Sequence, residues 1–204
     1  MTMTEIIEAC LERAEAKESS LTSEVIGAVG GFCGEKFRHL LNNLGHFCTS
    51  YLEIGSLHGA SLTSTCYGNG LDAIAIENFS EFDGNRETLT ANAKKYAPEA
   101  YLVFGDCWLP ETVVQVPEGK IDLFFYDGCH SKDAHERALR EYASRLAAEF
   151  IYFVDDWNWP HVKEAVMRGI NASGYKVVYQ RQIACPDGDG GGWWNGVGIF
   201  VLRK

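Results

Sequence analysis

From Tyr51 onward, short apolar runs alternate with longer stretches whose apolar residues recur every three or four positions. The short runs, at 51–55, 73–77, 100–105, 121–126, 150–154, 176–183 and 196–202, predict strands; the longer ones, at 60–67, 86–97, 111–116, 132–146 and 162–172, predict helices. Strands alternating with helices build a mostly parallel α/β sheet with helices on both faces. No helix pattern separates the last two strands, so that pair is expected to run antiparallel. Before Tyr51 the pattern differs. Ile6, Ile7, Cys10, Leu11 and Ala14 have helical spacing behind Thr4, a candidate cap, and this helix is expected to end near Glu18. Residues 19–34 are small and glycine-rich, and a second helix is expected from Glu35 to Leu44. Residues 1–49 therefore read as a helical extension of a domain spanning 50–204.

The strand-to-helix junction at Ser50-Tyr-Leu-Glu-Ile-Gly-Ser-Leu-His-Gly-Ala-Ser61 carries the first chemical signal. A buried strand turning through Gly55 and Gly59 into a helix aims free backbone N–H groups at a ligand and lets it approach the main chain. In an open parallel sheet, ligands lie beyond the carboxyl ends of the strands. Those ends here are Glu53, Gly55, Ser56 and His58, then Glu77 and Asn78, then Asp106, Cys107 and Trp108, then Asp127, Cys129 and His130, then Asp155 to Trp159. Glu77 stands about twenty residues beyond the turn, where an acid can accept both hydroxyls of a ribose. Asp106 could take an adenine amino proton or cap the next helix.

Asp127, Asp155 and Asp156 would bring three carboxylates together. Either one of them protonates or a hard divalent cation such as Mg²⁺ or Ca²⁺ neutralises them; the bland reading of Asp155 and Asp156 is a loop acid and a helix cap. His130, three residues after Asp127, is the candidate general base, ahead of His135 and His161. Cys129 reads as a small side chain packed under its loop. Trp157, Trp159, Trp193 and Trp194 offer an aromatic wall for an acceptor, or else a lid or a homo-oligomer contact, and Gly188, Gly190, Gly191 and Gly192 suggest a loop that closes.

Charge and cysteine usage narrow the class. A net charge of -10 argues against nucleic acid as partner, since phosphate binding needs a basic face. Seven scattered cysteines without CxxC spacing suggest reduced thiols, and with no apolar run long enough to span a bilayer a cytoplasmic protein is expected.

These residues resemble class I S-adenosylmethionine-dependent methyltransferases. Glu53 to Ser61 is similar to that family's first motif, and the resemblance implies a Rossmann-like seven-stranded sheet whose last strand inserts antiparallel between the fifth and sixth. It also implies methionine contacts from Glu53, Gly55, Ser56, Gly59, Ser61 and Asp127, ribose contacts from Glu77 and Asn78, and adenine contacts from Asp106 and Cys107. Leu57, where many relatives carry glycine, resembles the catechol and caffeoyl-CoA type of metal-dependent O-methyltransferase. Asp127, Asp155 and Asp156 match that type's Mg²⁺ ligands, and the macrocin-type sugar O-methyltransferases share the Asp-Asp pair. The latter carry Asp-Gly-Asp where this chain has Asp127-Gly128-Cys129, which shifts the base to His130. Bacterial methyltransferases of unassigned substrate resemble the chain as well. The expected activity is methyl transfer to a small-molecule hydroxyl. Its alternatives are a metal-free O-, N- or C-methyltransferase, a nicotinamide dehydrogenase disfavoured by the absent Gly-x-Gly-x-x-Gly spacing, and a non-catalytic cofactor binder.

Overall fold

The computed structural model describes residues 1–185 and 191–204. Seven strands, β1 (Ser50–Ile54), β2 (Asp72–Glu77), β3 (Tyr101–Phe104), β4 (Ile121–Tyr126), β5 (Leu146–Val154), β6 (Lys176–Ile183) and β7 (Val197–Arg203), form one sheet in the order β3-β2-β1-β4-β5-β7-β6. The first five pair in parallel, and β7 lies antiparallel to both β5 and β6. The α/β sheet with an inserted antiparallel last strand is as the sequence predicts. Eight helices are described: α1 (Met3–Glu15), α2 (Ser23–Ala28), α3 (Glu35–Gly45), α4 (Ala60–Cys66), α5 (Arg86–Tyr96), α6 (Pro110–Val113), α7 (Lys132–Glu141) and α8 (Pro160–Ser173).

Alternate residues of the central strands feed two cores. Tyr51, Leu123, Phe125 and Phe153 join Phe37, Leu40 and Leu62 on one face, while Leu52, Phe124, Tyr126 and Tyr152 meet Ala138, Val162 and Val166 on the other. The amino-terminal helices belong to the first of these cores through Ile7, Cys10, Leu11, Phe37 and Leu41. Several boundaries depart from expectation. Thr2, rather than Thr4, caps α1, with Glu5 completing a capping box. Thr22 caps a helix, α2, inside the stretch read as small-residue loop. The seventh helix stops at Glu141 and the fifth strand starts at Leu146, because pairing of Leu146 with Ile121 and of Glu149 with Arg203 overrides the helical propensity of Ala147 and Ala148.

The turn after β1 is fixed by close approach and by buried polar contacts. Gly55 has φ of 90°, and a Cβ there would stand 1.9 Å from the Asp127 carbonyl oxygen, so only glycine lets the ends of β1 and β4 meet. Leu57, at φ 47°, follows in the left-handed region. Its N–H donates to Glu77 Oε2 at 2.7 Å, which ties the turn to the end of β2. Beneath the turn lies Glu53, with none of its surface exposed. The Tyr51 hydroxyl donates to Glu53 Oε2. Burial pushes the Glu53 carboxyl up to about 7, against the opposing pull of the Tyr51 hydroxyl.

Two outcomes are expected. Gly55→Ala should cost at least about 2 kcal/mol in urea unfolding, because it adds both a main-chain clash and left-handed strain. For Glu53, the folded protein keeps a proton that the unfolded chain releases from 4.5 upward, so this group's contribution falls as pH rises from there to about 7 and is level above. Unfolding titrations at pH 5 and pH 8 should therefore differ less in Glu53→Gln than in wild type, by about 3 kcal/mol; an unchanged difference would refute the buried-acid account.

Candidate active site

Beyond the carboxyl ends of the strands lies a cleft of about 610 Å³. It opens where the strand order reverses, since β1 has β2 on one side and β4 on the other. Gly55, Ser56 and Ser61 line its floor, and Ser56 Oγ is buried without a hydrogen-bond partner. Glu77 and Asn78 form the wall at the end of β2. Each Glu77 oxygen already accepts one main-chain N–H, from Leu57 and from Phe79 at 2.6 Å, so one lone pair on each still faces the cleft. Asp106 and Cys107 line the far side. The Asp106 carboxylate accepts from Trp108 N at 2.9 Å, a turn contact, and Leu109 is the cap of α6. Two expected ligand contacts lie elsewhere. Glu53 supports the turn from below, and Gly59, at φ 85°, is the cap of α4, backed by Leu89; neither side faces the cleft.

Asp127, Asp155, Asp156 and His130 meet at the opposite end. Burial first, then the charges of Asp155 and Asp156, hold the Asp127 carboxyl well above the ordinary carboxylate range. Asp155 is raised by the same burial and by the charge of Asp156. Asp156, at φ 53°, is held differently: Asn195 Nδ2 donates to its Oδ1 at 2.7 Å, and His130 Nε2 stands 3.3 Å from its Oδ2. The distance from His130 Nε2 to Asp127 Oδ1 is 4.0 Å. Neither Asp155 nor Asp156 caps α8, whose cap is Trp159 followed by Pro160. An all-oxygen donor set suits a hard cation, yet among the described residues no group of three or more His, Cys, Asp or Glu side chains is arranged to hold a metal ion.

The four tryptophans divide. Trp159 and Trp194 line the cleft. Trp157 is 1% exposed and packs edge-on against Phe200, in space that Gly198 leaves open on β7, so it is core. Trp193 is also buried, and its indole N–H donates to Glu15. Gly188 and Gly190 lie outside the described residues, while the Gly192 carbonyl accepts from Lys36 and Phe37 and so binds its end of the connection to α3. Cys129 is exposed at the cleft instead of packed beneath it. His135 is buried under His130, their rings 5.8 Å apart, and burial lowers its affinity for a proton to a pKa of about 3, so it stays neutral. His161 Nε2 lies 3.1 Å from the His130 carbonyl.

The sequence pattern gave no notice of Phe32 and Phe82. Phe32 precedes α3, in a loop pinned by buried Arg38, which donates to the Ile26 and Val29 carbonyls and to Ser64 Oγ. Its ring sits 5.3 Å from Phe82 and 5.7 Å from Trp194, which makes a row of aromatic rings along the mouth. Glycines flanking a lone aromatic residue were the one available signal.

The sequence matches the model of a methyltransferase-domain family over residues 52–157. No curated protein matches it. Among solved structures it is similar to an O-methyltransferase from Bacillus cereus in complex with S-adenosylhomocysteine, at 15% identity and TM-score 0.59, covering 100% of this chain and 93% of that one. It is similar also to the O-methyltransferase TomG from Streptomyces achromogenes, involved in tomaymycin synthesis and bound to S-adenosylmethionine, with 15% identity, TM-score 0.59 and coverage of 96% and 90%. A precorrin-6y C5,15-methyltransferase from Geobacter metallireducens shares 18% identity and TM-score 0.57 over 83% of this chain and 87% of its own. Identities this low speak to the fold alone, and the matched span, from β1 through the end of β5, contains the turn and both acidic walls of the cleft. By that match and by its strand order, the chain belongs to the methyltransferase-domain family and is a class I S-adenosylmethionine-dependent methyltransferase.

Proposed function

We propose that the chain transfers a methyl group to the hydroxyl of a small-molecule acceptor. One observation carries this reading: a single cleft joins a nucleoside-shaped half, with Ser56, Glu77 and Asp106, to a half containing a histidine paired with a buried acid. The O-methyltransferases of the same fold support it. S-adenosylmethionine supplies an electrophilic methyl group on a positively charged sulfur. Glu77 and Asn78 would hold the ribose hydroxyls, Asp106 and the Cys107 main chain would meet the adenine, and the Gly55 to Ser61 turn would receive the amino-acid end.

At the other end His130 accepts the acceptor's hydroxyl proton as the new C–O bond forms and the methyl–sulfur bond breaks, which leaves a neutral thioether. Asp156 balances the imidazolium charge, and Asn195 keeps that carboxylate in place. Charge is conserved, since the sulfonium's positive charge is exchanged for that of the imidazolium. Asp127 and Asp155 form the polar wall beside it. Much of the acceleration comes from holding oxygen, methyl and sulfur in line.

The test uses full-length protein, radiolabelled methyl donor and a panel of small hydroxyl compounds. With an acceptor from that panel, His130→Ala should lower kcat by about 10²- to 10⁴-fold. Calorimetric binding of S-adenosylhomocysteine should stay within about twofold of wild type; an equal loss of both would make His130 structural. No step here is routed through a metal, since no metal-holding group of three or more His, Cys, Asp or Glu side chains is found among the described residues. Activity is therefore expected to survive dialysis against EDTA; loss on chelation with recovery in Mg²⁺ would reinstate a cation at Asp127, Asp155 and Asp156.

A further inference from the structure

The charge of the cleft is one-sided. Six carboxylates line it, Glu77, Glu81, Asp106, Asp127, Asp155 and Asp156, and none of the described residues lining it is Lys or Arg. The donor brings one net positive charge, and its ribose and adenine meet Glu77 and Asp106 through neutral hydroxyl and amino groups. Negative potential therefore remains on the acceptor side. Walls of low dielectric constant focus such a field, so an anionic acceptor is repelled at the point where it must bind.

Aromatic faces border the same side. Trp159 stands edge-on to His130 at 5.4 Å, and His130 in turn touches Asp156. Trp194 precedes Asn195, whose amide holds Asp156, and Phe32 packs against Trp194. Phe32 is 51% exposed and Phe82 63%, a large apolar surface for positions that are not buried by anything described. Backbone strain accompanies it, with φ of 59° at Phe82, 31° at Trp194 and 46° at Asn195. Aromatic residues bordering a group of acids make a seat for a cation, which gains from ring faces and from charge together.

We infer that the acceptor is itself a cation: a hydroxyl-bearing small molecule with a protonated amine, drawn into the cleft by the acidic side chains that line it and bordered there by Phe32, Trp159 and Trp194. This rests on the methyl-transfer reading for the hydroxyl, and on the cleft alone for the charge. Acceptors bearing carboxylate or phosphate groups are excluded by the same field, so specificity here is partly repulsion.

Three probes with one ring and one hydroxyl separate the effect of charge: tyramine, a cation; 4-hydroxyphenethyl alcohol, neutral; and 4-hydroxyphenylacetate, an anion. Each is titrated calorimetrically into the full chain saturated with S-adenosylhomocysteine. Tyramine is expected to bind at least about tenfold tighter than the alcohol, with the acetate weakest. Both Asp156→Asn and the exposed-site variant Phe32→Ala should narrow that preference at least about threefold, and 0.5 M NaCl should narrow it as well. Equal binding of the three, or tightest binding of the acetate, overturns the inference. Should S-adenosylhomocysteine fail to bind, the donor assignment falls. The charge inference is then read from the probes in the free chain, where the same order is expected because the field belongs to the side chains.

Discussion

The contact on which the site depends is the approach of Gly55 to the Asp127 carbonyl, where the ends of β1 and β4 come together without a side chain between them. Hydrogen bonds from Asp127 N to the Ile54 carbonyl, and from Gly55 N to the Ile76 carbonyl, extend the sheet by one more step on each side of β1. That step places the nucleoside wall and the acidic wall on opposite sides of one turn. If the two strand ends were held apart by a Cβ, Glu77 and Asp127 would still stand at their strand ends, but the turn between them would no longer face a single cleft.

Placing the acids together has a cost that the fold meets in two ways. Glu53 lies beneath the turn, where the Tyr51 hydroxyl satisfies one oxygen and burial raises its proton affinity. Asp127 and Asp155 lie above it with raised proton affinity, while Asp156 is steadied by an amide and an imidazole. Buried like charges that stay together in a cleft signal use more than stability, since apolar residues of the same size would avoid the repulsion.

Much of the sheet was legible because parallel strands buried on both faces leave continuous apolar runs, as Ile121 to Tyr126 does, and because the missing crossover helix after Ile183 dictates an antiparallel pair. Strand ends then located most of the cleft. What sequence could not give was side-chain direction where the chain is irregular. Trp157 and Trp159 are two residues apart beyond β5, yet one is swallowed by the space above Gly198 and the other lines the cleft. Likewise Trp193 turns to Glu15 while Trp194 turns to Phe32, a choice set by the α1 and α3 packing and by left-handed backbone at Trp194. Three acids at adjacent strand ends suggested a metal; only their hydrogen bonds show how their oxygens are engaged.

The segment before β1 has a part in this that periodicity hides. Arg38 is almost wholly buried, and its Nε and Nη1 donate to a serine and two main-chain carbonyls, with no carboxylate paired to it among the described residues. Such a residue holds a loop in one shape. The loop it holds is the one that carries Phe32 to the mouth of the cleft, with Gly31 pressed against Ala60 at the start of α4. The proposed donor seat and the proposed aromatic wall are thus joined through α4, since the turn that ends at Gly59 begins the helix against which the Phe32 loop rests. A change in that loop would be felt first in the choice of acceptor. The donor's seat, built from β1, β2 and β3, would feel it less.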